Sequence, residues 1–355
     1  MKYLMLSGFL ILGHILFAQN NSTKEYEHKQ DTNYIVSYTS KLDLTTRFYN
    51  SVKFSRYVLR DSRYKERLRY ASNENLIIGV GVSYRRATFN LGLNFPFVNS
   101  WDEKDKGKTK YLDAQIHYYL DKYVFDAWLS TYKGYHLTNP HETTTQDLSD
   151  SSFPIRPEVR NTNFSFNLVR ILNSKKFSFR AAFAQDEWQK KSAGSFLIGM
   201  EYNMMFSKGD SSFIPSNTKE SDYFDNYQIK KSTIVNLAIS GGYGHTFVVA
   251  QHFYFSIVAT MALGGSFTVL ESDDATQNDV DGLTFNINYS TKVGLGYNSK
   301  TFQIGLATVQ TFMTNHTPLD HSLITQNPGN VRINLIKRFV LNKPIRLPIL
   351  NKILD

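Results

Sequence analysis

Residues 233–264 read TIVNLAISGGYGHTFVVAQHFYFSIVATMALG, and this stretch decides the fold class. In its first half one parity is apolar and ends in an aromatic residue, while the other holds small and polar residues such as Asn236, Ser240 and Gly242. After a break around residues 245–251 the same alternation resumes from Phe253. Alternation with period two predicts β-strands, and runs of roughly 11 to 13 residues are long enough for tilted strands to cross a bilayer. The stretch therefore predicts one hairpin of a transmembrane β-barrel.

The same alternation recurs from Asn75 to Val340 and predicts an all-β antiparallel transmembrane barrel of about 12 strands, with about 14 as the next alternative. A weaker alternation in residues 41–60 predicts either one strand or a hairpin. Long loops and short turns should alternate along a barrel, but the phases counted from the two ends disagree, which predicts a further strand around 211–218. The predicted strands lie near residues 76–84, 89–97, 112–120, 123–132, 164–168, 177–184, 196–204, 235–243, 253–263, 285–297, 302–313 and 331–339.

The first residues have the pattern of an export signal. Lys2 precedes an apolar run from Leu4 to Phe17, and polarity rises after Ala18. A positive start, an apolar run of this length and a small residue at the break are typical of a secretory signal peptide, so we expect cleavage after Ala18. A single membrane anchor is the alternative, although the run is shorter than the ~18 apolar residues of a spanning helix. The expected organisation is a signal peptide (1–18), a flexible periplasmic segment (19–40), an outer-membrane barrel (41–340) and a periplasmic tail (341–355).

The composition agrees with an exported barrel. Mean hydropathy is −0.35 and no long apolar run follows residue 19, which argues against spanning helices. Only alternate residues of a barrel strand face lipid, so low hydropathy is compatible with membrane insertion. The 355 residues include no cysteine, so sheet closure rather than disulfides has to stabilise the chain. The net charge of +9 comes from scattered Lys and Arg, which argues against nucleic-acid binding and suits anionic lipid head groups.

A soluble β-sandwich would alternate in the same way, but its inner face would need large apolar residues. Here the face opposite the aromatic residues repeatedly holds Gly, Ser, Asn or a charge, which suits a barrel lumen. The charges expected in the lumen would form either a salt-bridged plug that rigidifies the barrel or a constriction that selects solutes. The predicted lumen residues are Arg85, Asp113, His117, Asp126, Arg180, Glu201, Lys292 and Arg332.

Several short segments resemble an uncharacterised family of Gram-negative outer-membrane barrels, known only as a domain of unknown function. The resemblance covers most of the mature chain and implies an outer-membrane location, but it implies no activity. The matching segments are Asp31–Ile35, Gly79–Tyr84, Lys108–Gln115, Tyr132–Tyr135 and Gln189–Ser195.

No metal-ligand spacing, phosphate loop or nucleophile motif occurs, so we expect neither a metal nor a cofactor. His117 and Asp113 share one strand face, and Asp126 with Ser130 could face them from the next strand. Ser, His and Asp gathered in this way could build a membrane-embedded hydrolase, provided that Ser130 comes within hydrogen-bond reach of His117. The other interpretation of these residues is a polar lumen lining without catalytic residues.

A non-enzymatic outer-membrane protein is the favoured function, either a narrow, porin-like pore or a structural protein of the envelope. The alternatives are an outer-membrane hydrolase acting on lipid or peptide, and a surface protein whose long loops bind a partner. The expected partners are outer-membrane lipid, lipopolysaccharide and, during insertion, the barrel assembly machinery. The sequence identifies no solute and no protein partner.

Overall fold

A computed structural model of the chain describes residues 30–40, 42–84, 87–94, 103–145 and 153–345, and it shows an all-β antiparallel barrel. The described residues also include short helical pieces: α1 (residues 103–106), α2 (Pro140–Thr143), α3 (Phe179–Phe183) and a 3₁₀ turn at Tyr223–Asn226. The strands are β1 (Ile35–Ser37), β2 (Asp43–Asp61), β3 (Leu68–Ala71), β4 (Asn75–Tyr84), β5 (Ala87–Asn94), β6 (Lys110–Tyr119), β7 (Tyr123–Leu137), β8 (Ile155–Ile171), β9 (Glu187–Gln189), β10 (Ala193–Lys208), β11 (Ile229–Val249), β12 (Phe253–Ser272), β13 (Val280–Asn298), β14 (Phe302–His316) and β15 (Ser322–Val340).

The barrel closes where the last strand pairs with β2. This pairing runs antiparallel over the whole of β2, from Ser322 opposite Asp61 to Val340 opposite Asp43. On the other side of β2, the short strand β3 links it to β7, with Tyr70 opposite Leu137. Within the described residues the closed ring therefore has ten strands, and β4, β5 and β6 pair outside it.

Strands β4, β5 and β6 extend the sheet from β2 and from β7. β4 pairs with β2 beyond β3, β5 pairs with β4, and β6 pairs with β7. No backbone pairing joins β5 to β6 in the part of the chain that the structure describes. Among these residues, β5 and β6 therefore each have one edge without a strand partner.

The described residues form ten strands in the closed ring and three outside it, whereas the sequence predicted about 12 strands. The alternation of long loops and short turns disagreed between the two ends of the chain because one segment was predicted as a strand and is not one. Residues 177–184, predicted as a strand, contain helix α3, which Ser178 caps by accepting a hydrogen bond from the Ala181 amide at 2.9 Å. The rings of Phe179 and Phe183 are in contact, with centroids 5.0 Å apart and planes tilted by 47°. These residues are four positions apart in the sequence, a spacing that fits a helix as well as it fits the alternation of a strand. Residues 211–218, where a further strand was predicted, lie in a connection without a strand, and residues 43–61 form one strand rather than a hairpin.

Without a strand at 177–184, the direction of the strands is consistent along the chain. β2 begins and β15 ends at the same end of the barrel, which we call the termini end, and the opposite end is the loop end. Residues 35–37, inside the segment expected to be flexible, form β1 and pair with β9 at the termini end.

The distribution of side chains over the two faces of the strands is the reverse of that in a soluble protein: apolar side chains face outward, and small or polar side chains face inward. On β11, Leu237 and Ile239 are 60% and 75% exposed, while Ala238 and Ser240 between them are 3% and 4% exposed. The same holds on β12, where Phe253 is exposed and Tyr254 is buried. The predicted inward and outward parities of this hairpin are therefore confirmed. Exposed apolar side chains recur on most strands, far beyond the isolated ones that soluble surfaces carry.

No helix among the described residues has both the length and the apolar character needed to cross a membrane.

Candidate functional site

The loop end of the lumen is filled by an apolar cluster. The connection 209–228 folds back between the strands, and its Phe213 and Phe224 side chains are fully buried. The Phe213 ring lies 5.2 Å from that of Tyr57, which projects inward from β2. Tyr70 donates a hydrogen bond to the Phe213 carbonyl oxygen at 2.5 Å. We call residues 209–228 the loop-end plug, because this packing occupies the lumen with apolar side chains.

The middle of the lumen contains a layer of buried amides and hydroxyls from facing strands. Asn203 on β10 lies opposite both Asn236 on β11 and Ser165 on β8, and all three side chains are at most 1% exposed. Several of the amide groups have no hydrogen-bond partner among the described residues. Small polar residues at these positions, predicted from the parity of the strands, thus pack the interior instead of lining a wide channel.

The termini end is closed by residues 174–192, which we call the termini-end plug. Its Phe177 and Phe179 side chains are buried in a second apolar cluster with Val258. Side chains of the barrel wall bind main-chain oxygens of this plug, so part of its attachment to the wall does not depend on its own side chains. The hydrogen bonds are Gln303 Nε2 to Ala181 O (3.2 Å), Arg47 Nη2 to Ala184 O (2.5 Å), Arg338 Nη2 to Gln185 O (3.0 Å) and Asn298 Nδ2 to Glu187 O (3.1 Å).

A buried charge cluster lies inside this plug. Arg180 of α3 pairs with Asp186 at 2.6 Å and lies 3.7 Å from a Glu187 oxygen. The Ser178 hydroxyl donates to the second Glu187 oxygen at 2.5 Å. Burial raises the pKa of Glu187 to about 7, against the opposing effect of Arg180. The Glu187 carboxyl therefore keeps its proton to a higher pH than an exposed glutamate does.

Between the two plugs lies a chamber of about 430 Å³ that is lined mainly by polar and charged side chains. Three cations are each paired with a carboxylate: Lys53 with Asp113 at 3.0 Å, Lys292 with Asp126 at 2.8 Å, and Arg180 with Asp186 at 2.6 Å. His117 also contacts Asp126 at 2.6 Å. The charged lining residues are Arg47, Lys53, Arg180, Lys292, Arg332, Asp113, Asp126 and Asp186.

Most of the charges that the sequence assigned to the lumen line this chamber, namely Asp113, His117, Asp126, Arg180, Lys292 and Arg332. Arg180 reaches it from the plug and not from a strand. Glu201 also faces the interior, where it accepts a hydrogen bond from Asn288 at 3.0 Å, but it does not line the chamber. Arg85 lies outside the described residues.

The sequence analysis missed Arg47, Lys53 and Asp186. Arg47 and Lys53 lie on the parity of β2 opposite to Leu44 and Phe48, which marks them as inward-facing, but alternation in this segment is weak. Asp186 lies on the plug, for which strand parity gives no information.

The residues proposed for a hydrolase are not assembled. His117 lies opposite Asp126, whereas Ser130 lies opposite Asp113, four residues or about 13 Å further along β7. Both His117 ring nitrogens have other partners, Asp126 at 2.6 Å and Gln115 at 3.3 Å. The Ser130 hydroxyl therefore does not reach the imidazole that would have to activate it.

The residues that the structure describes contain no group of three or more His, Cys, Asp or Glu side chains that could hold a metal ion.

Fold and site together define a closed antiparallel β-barrel with an apolar outer surface and a filled lumen. Residues 29–339 match the family described as Domain of unknown function (DUF4421), which spans most of the sequence. The chain belongs to this family, as the sequence resemblance predicted. The chain matches none of the curated proteins with which it was compared.

Solved structures with a similar fold include several outer-membrane barrels. The outer-membrane protease OmpT from Escherichia coli is 9% identical, with 84% of this chain and 98% of that chain covered and a TM-score of 0.35. The toluene transporter TodX from P. putida is 8% identical, with 86% and 90% covered and a TM-score of 0.26. A bacterial polysaccharide outer-membrane secretin is 10% identical, with 83% and 98% covered and a TM-score of 0.27. At these TM-scores the likenesses support no conclusion about activity or substrate.

Proposed function

We propose that the chain is a non-enzymatic outer-membrane protein of the Gram-negative envelope, whose barrel is a narrow, gated passage that is closed at rest. In this proposal the chain is exported by its N-terminal signal, inserted by the barrel assembly machinery, and oriented with the termini end in the periplasm. The exposed apolar belt contacts lipid and lipopolysaccharide, since side chains such as Leu237 and Phe196, 60% and 67% exposed, would be unfavourable in water.

The charged chamber, in a lumen that has a plug at each end, is the observation that carries this proposal. A barrel that served only as a scaffold could fill its lumen throughout, as the layer around Asn203 and Asn236 does. An open porin, in contrast, would have neither plug. A chamber with charged walls is suited to hold a solute while both exits are closed.

The termini-end plug is the better candidate for the gate. Its attachments from Gln303 and Asn298 are single neutral hydrogen bonds, each worth about 0.5–1.5 kcal/mol. Both plugs bury aromatic side chains, but among the described residues the apolar cluster at the loop end contains 19 buried residues, whereas the cluster at the termini end contains seven. The weaker attachment is the one expected to open first.

Conductance of the purified protein in planar bilayers tests the proposal. We expect no steady current from the native chain, because both ends of the lumen are plugged. Discrete current steps are expected when Gln303→Ala and Asn298→Ala, which free two oxygens of the termini-end plug, are combined with Phe213→Ala, which loosens the loop-end plug. The control is Thr276→Ala, which removes a hydroxyl that bonds to Asp274 in the connection between β12 and β13. A large steady current from the native chain would contradict the closed state. The absence of current steps from a correctly folded triple variant would contradict the passage and favour a structural role.

A further inference from the structure

Among the described residues, two arginines of the chamber form no ion pair with a carboxylate. Lys53, Lys292 and Arg180 are each neutralised by an aspartate, which accounts for all three carboxylates of the lining. Within the described residues, no carboxylate oxygen lies within the 4.0 Å ion-pair distance of Arg47 or Arg332. With five cations and three carboxylates in its lining, the chamber has an excess of two positive charges.

Arg332 is the less constrained of the two arginines. Its guanidinium lies 5.0 Å from the centroid of the Tyr49 ring, and its buried Nε has no hydrogen-bond partner in the described part of the chain. Stacking on an aromatic ring orients a guanidinium but leaves its N–H donors unused. The terminal nitrogens Nη1 and Nη2 of Arg332 likewise donate to no group among the described residues, and they are the donors that a ligand in the chamber can use.

Arg47 is partly used by the protein. It donates to Asn90 Oδ1 at 3.1 Å and to the Ala184 carbonyl oxygen of the termini-end plug at 2.5 Å. Its buried Nε has no hydrogen-bond partner in the part of the chain that the structure describes. Arg332 lies opposite Ser51, four residues or about 13 Å along β2 from Arg47. A ligand that contacted both guanidiniums would have to be a small molecule of several atoms.

An unpaired charge that is withdrawn from water costs several kcal/mol, and an anion that enters the chamber removes this cost. The guanidinium fork matches the geometry of carboxylate and phosphate groups and forms charge-assisted hydrogen bonds with them. We propose that the chamber is a binding site for a small solute that carries a phosphate or carboxylate group, with Arg332 as the main contact and Arg47 as the second. This proposal deepens the proposed function by naming the class of solute.

Isothermal titration calorimetry on the full chain in detergent micelles tests this inference, with inorganic phosphate and succinate as separate probes. We expect the native chain to bind at least one of them, and Arg332→Gln to weaken that binding at least tenfold. Arg332→Lys, which keeps the charge but loses the fork, should lie between the two. The probe that binds more tightly identifies the oxyanion that the site prefers.

Lys231→Gln is the matched control, because Lys231 lies near the loop end, is exposed, and pairs with Glu271 outside the chamber. It removes one positive charge and should leave binding unchanged. Equal weakening by Lys231→Gln would mean that only net charge matters, and failure of both probes to bind would mean that there is no such site; either result overturns the inference. Arg332→Gln removes no hydrogen bond to the plug, and gel mobility of the folded barrel verifies that each variant is folded.

Binding in micelles does not require the plug to open. Binding without conductance would therefore support the anion site and contradict the gated passage. Conductance without binding would support the passage and contradict the anion site.

Discussion

Protonation of Glu187 should control how firmly the termini-end plug is held. Burial raises the pKa of this carboxyl from 4.5 to about 7. Since the pKa is higher in the folded plug than in the released one, folding favours the protonated form. The stabilisation is complete below about pH 4.5 and is lost as the pH rises through about 7. Each pKa unit is worth about 1.4 kcal/mol, so the plug should lose about 3 kcal/mol between pH 4.5 and pH 8.

Hydrogen exchange of the plug amides, followed by mass spectrometry, measures this loss. After correction for intrinsic exchange rates, the opening constant of residues 174–192 should rise by about 100-fold over that range. Glu187→Gln keeps an uncharged side chain of the same shape, so its plug should show little dependence on pH. Glu201→Gln is the control, because Glu201 is an interior carboxyl that bonds to Asn288 away from the plug.

A native plug whose opening is independent of pH would refute this reasoning. So would a pH dependence that persists unchanged in Glu187→Gln, because the titrating group would then lie elsewhere in the plug or wall.

Two further predictions test the wall of the barrel. Gly134→Ala should destabilise the protein by about 1–3 kcal/mol, because φ is +97° and a Cβ would lie 2.1 Å from the Lys108 carbonyl oxygen. Gly241→Ala, where a Cβ meets nothing within 4 Å, should change stability by less than about 0.5 kcal/mol; equal urea midpoints for these two variants would contradict the assignment. Ile239→Lys should cost about 2–4 kcal/mol in lipid vesicles, because Ile239 is 75% exposed on the apolar face, and a neutral result would show that this face does not meet lipid.

The barrel wall was predictable because strand alternation is a local signal. In β11 and β12 one parity is mostly apolar, and the exposure of Leu237, Ile239 and Phe253 follows that parity. Closure of β15 on β2 could not be predicted in the same way, because it depends on contacts between residues more than 200 positions apart. The weak alternation of residues 43–61 also concealed Arg47, which faces the lumen from β2.

The plugs were not predictable from periodicity. Phe177, Phe179 and Phe183 alternate like a strand, but Ser178 caps a helix there, and the apolar side chains face inward instead of towards lipid. Over so short a segment, the alternation of a strand and the four-residue spacing of a helix give the same pattern of apolar residues. Only the tertiary contacts distinguish the helix from a strand. The chamber was not predictable for a related reason, because two of its ion pairs, Lys53–Asp113 and Lys292–Asp126, join strands that are distant in the sequence.

Side chains of the wall bind the termini-end plug through its main-chain carbonyl oxygens, and every amino acid has such an oxygen. Side chains at Ala181, Ala184 and Gln185 can therefore be exchanged without loss of these anchors, provided that the path of the chain is kept. Loss of a single residue would instead shift the successive oxygens away from their donors. At these oxygens the termini-end plug depends on the path of its main chain, so an insertion or deletion should disturb it more than a substitution does. The buried side chains of Arg180, Asp186 and Glu187 are a separate constraint on its sequence.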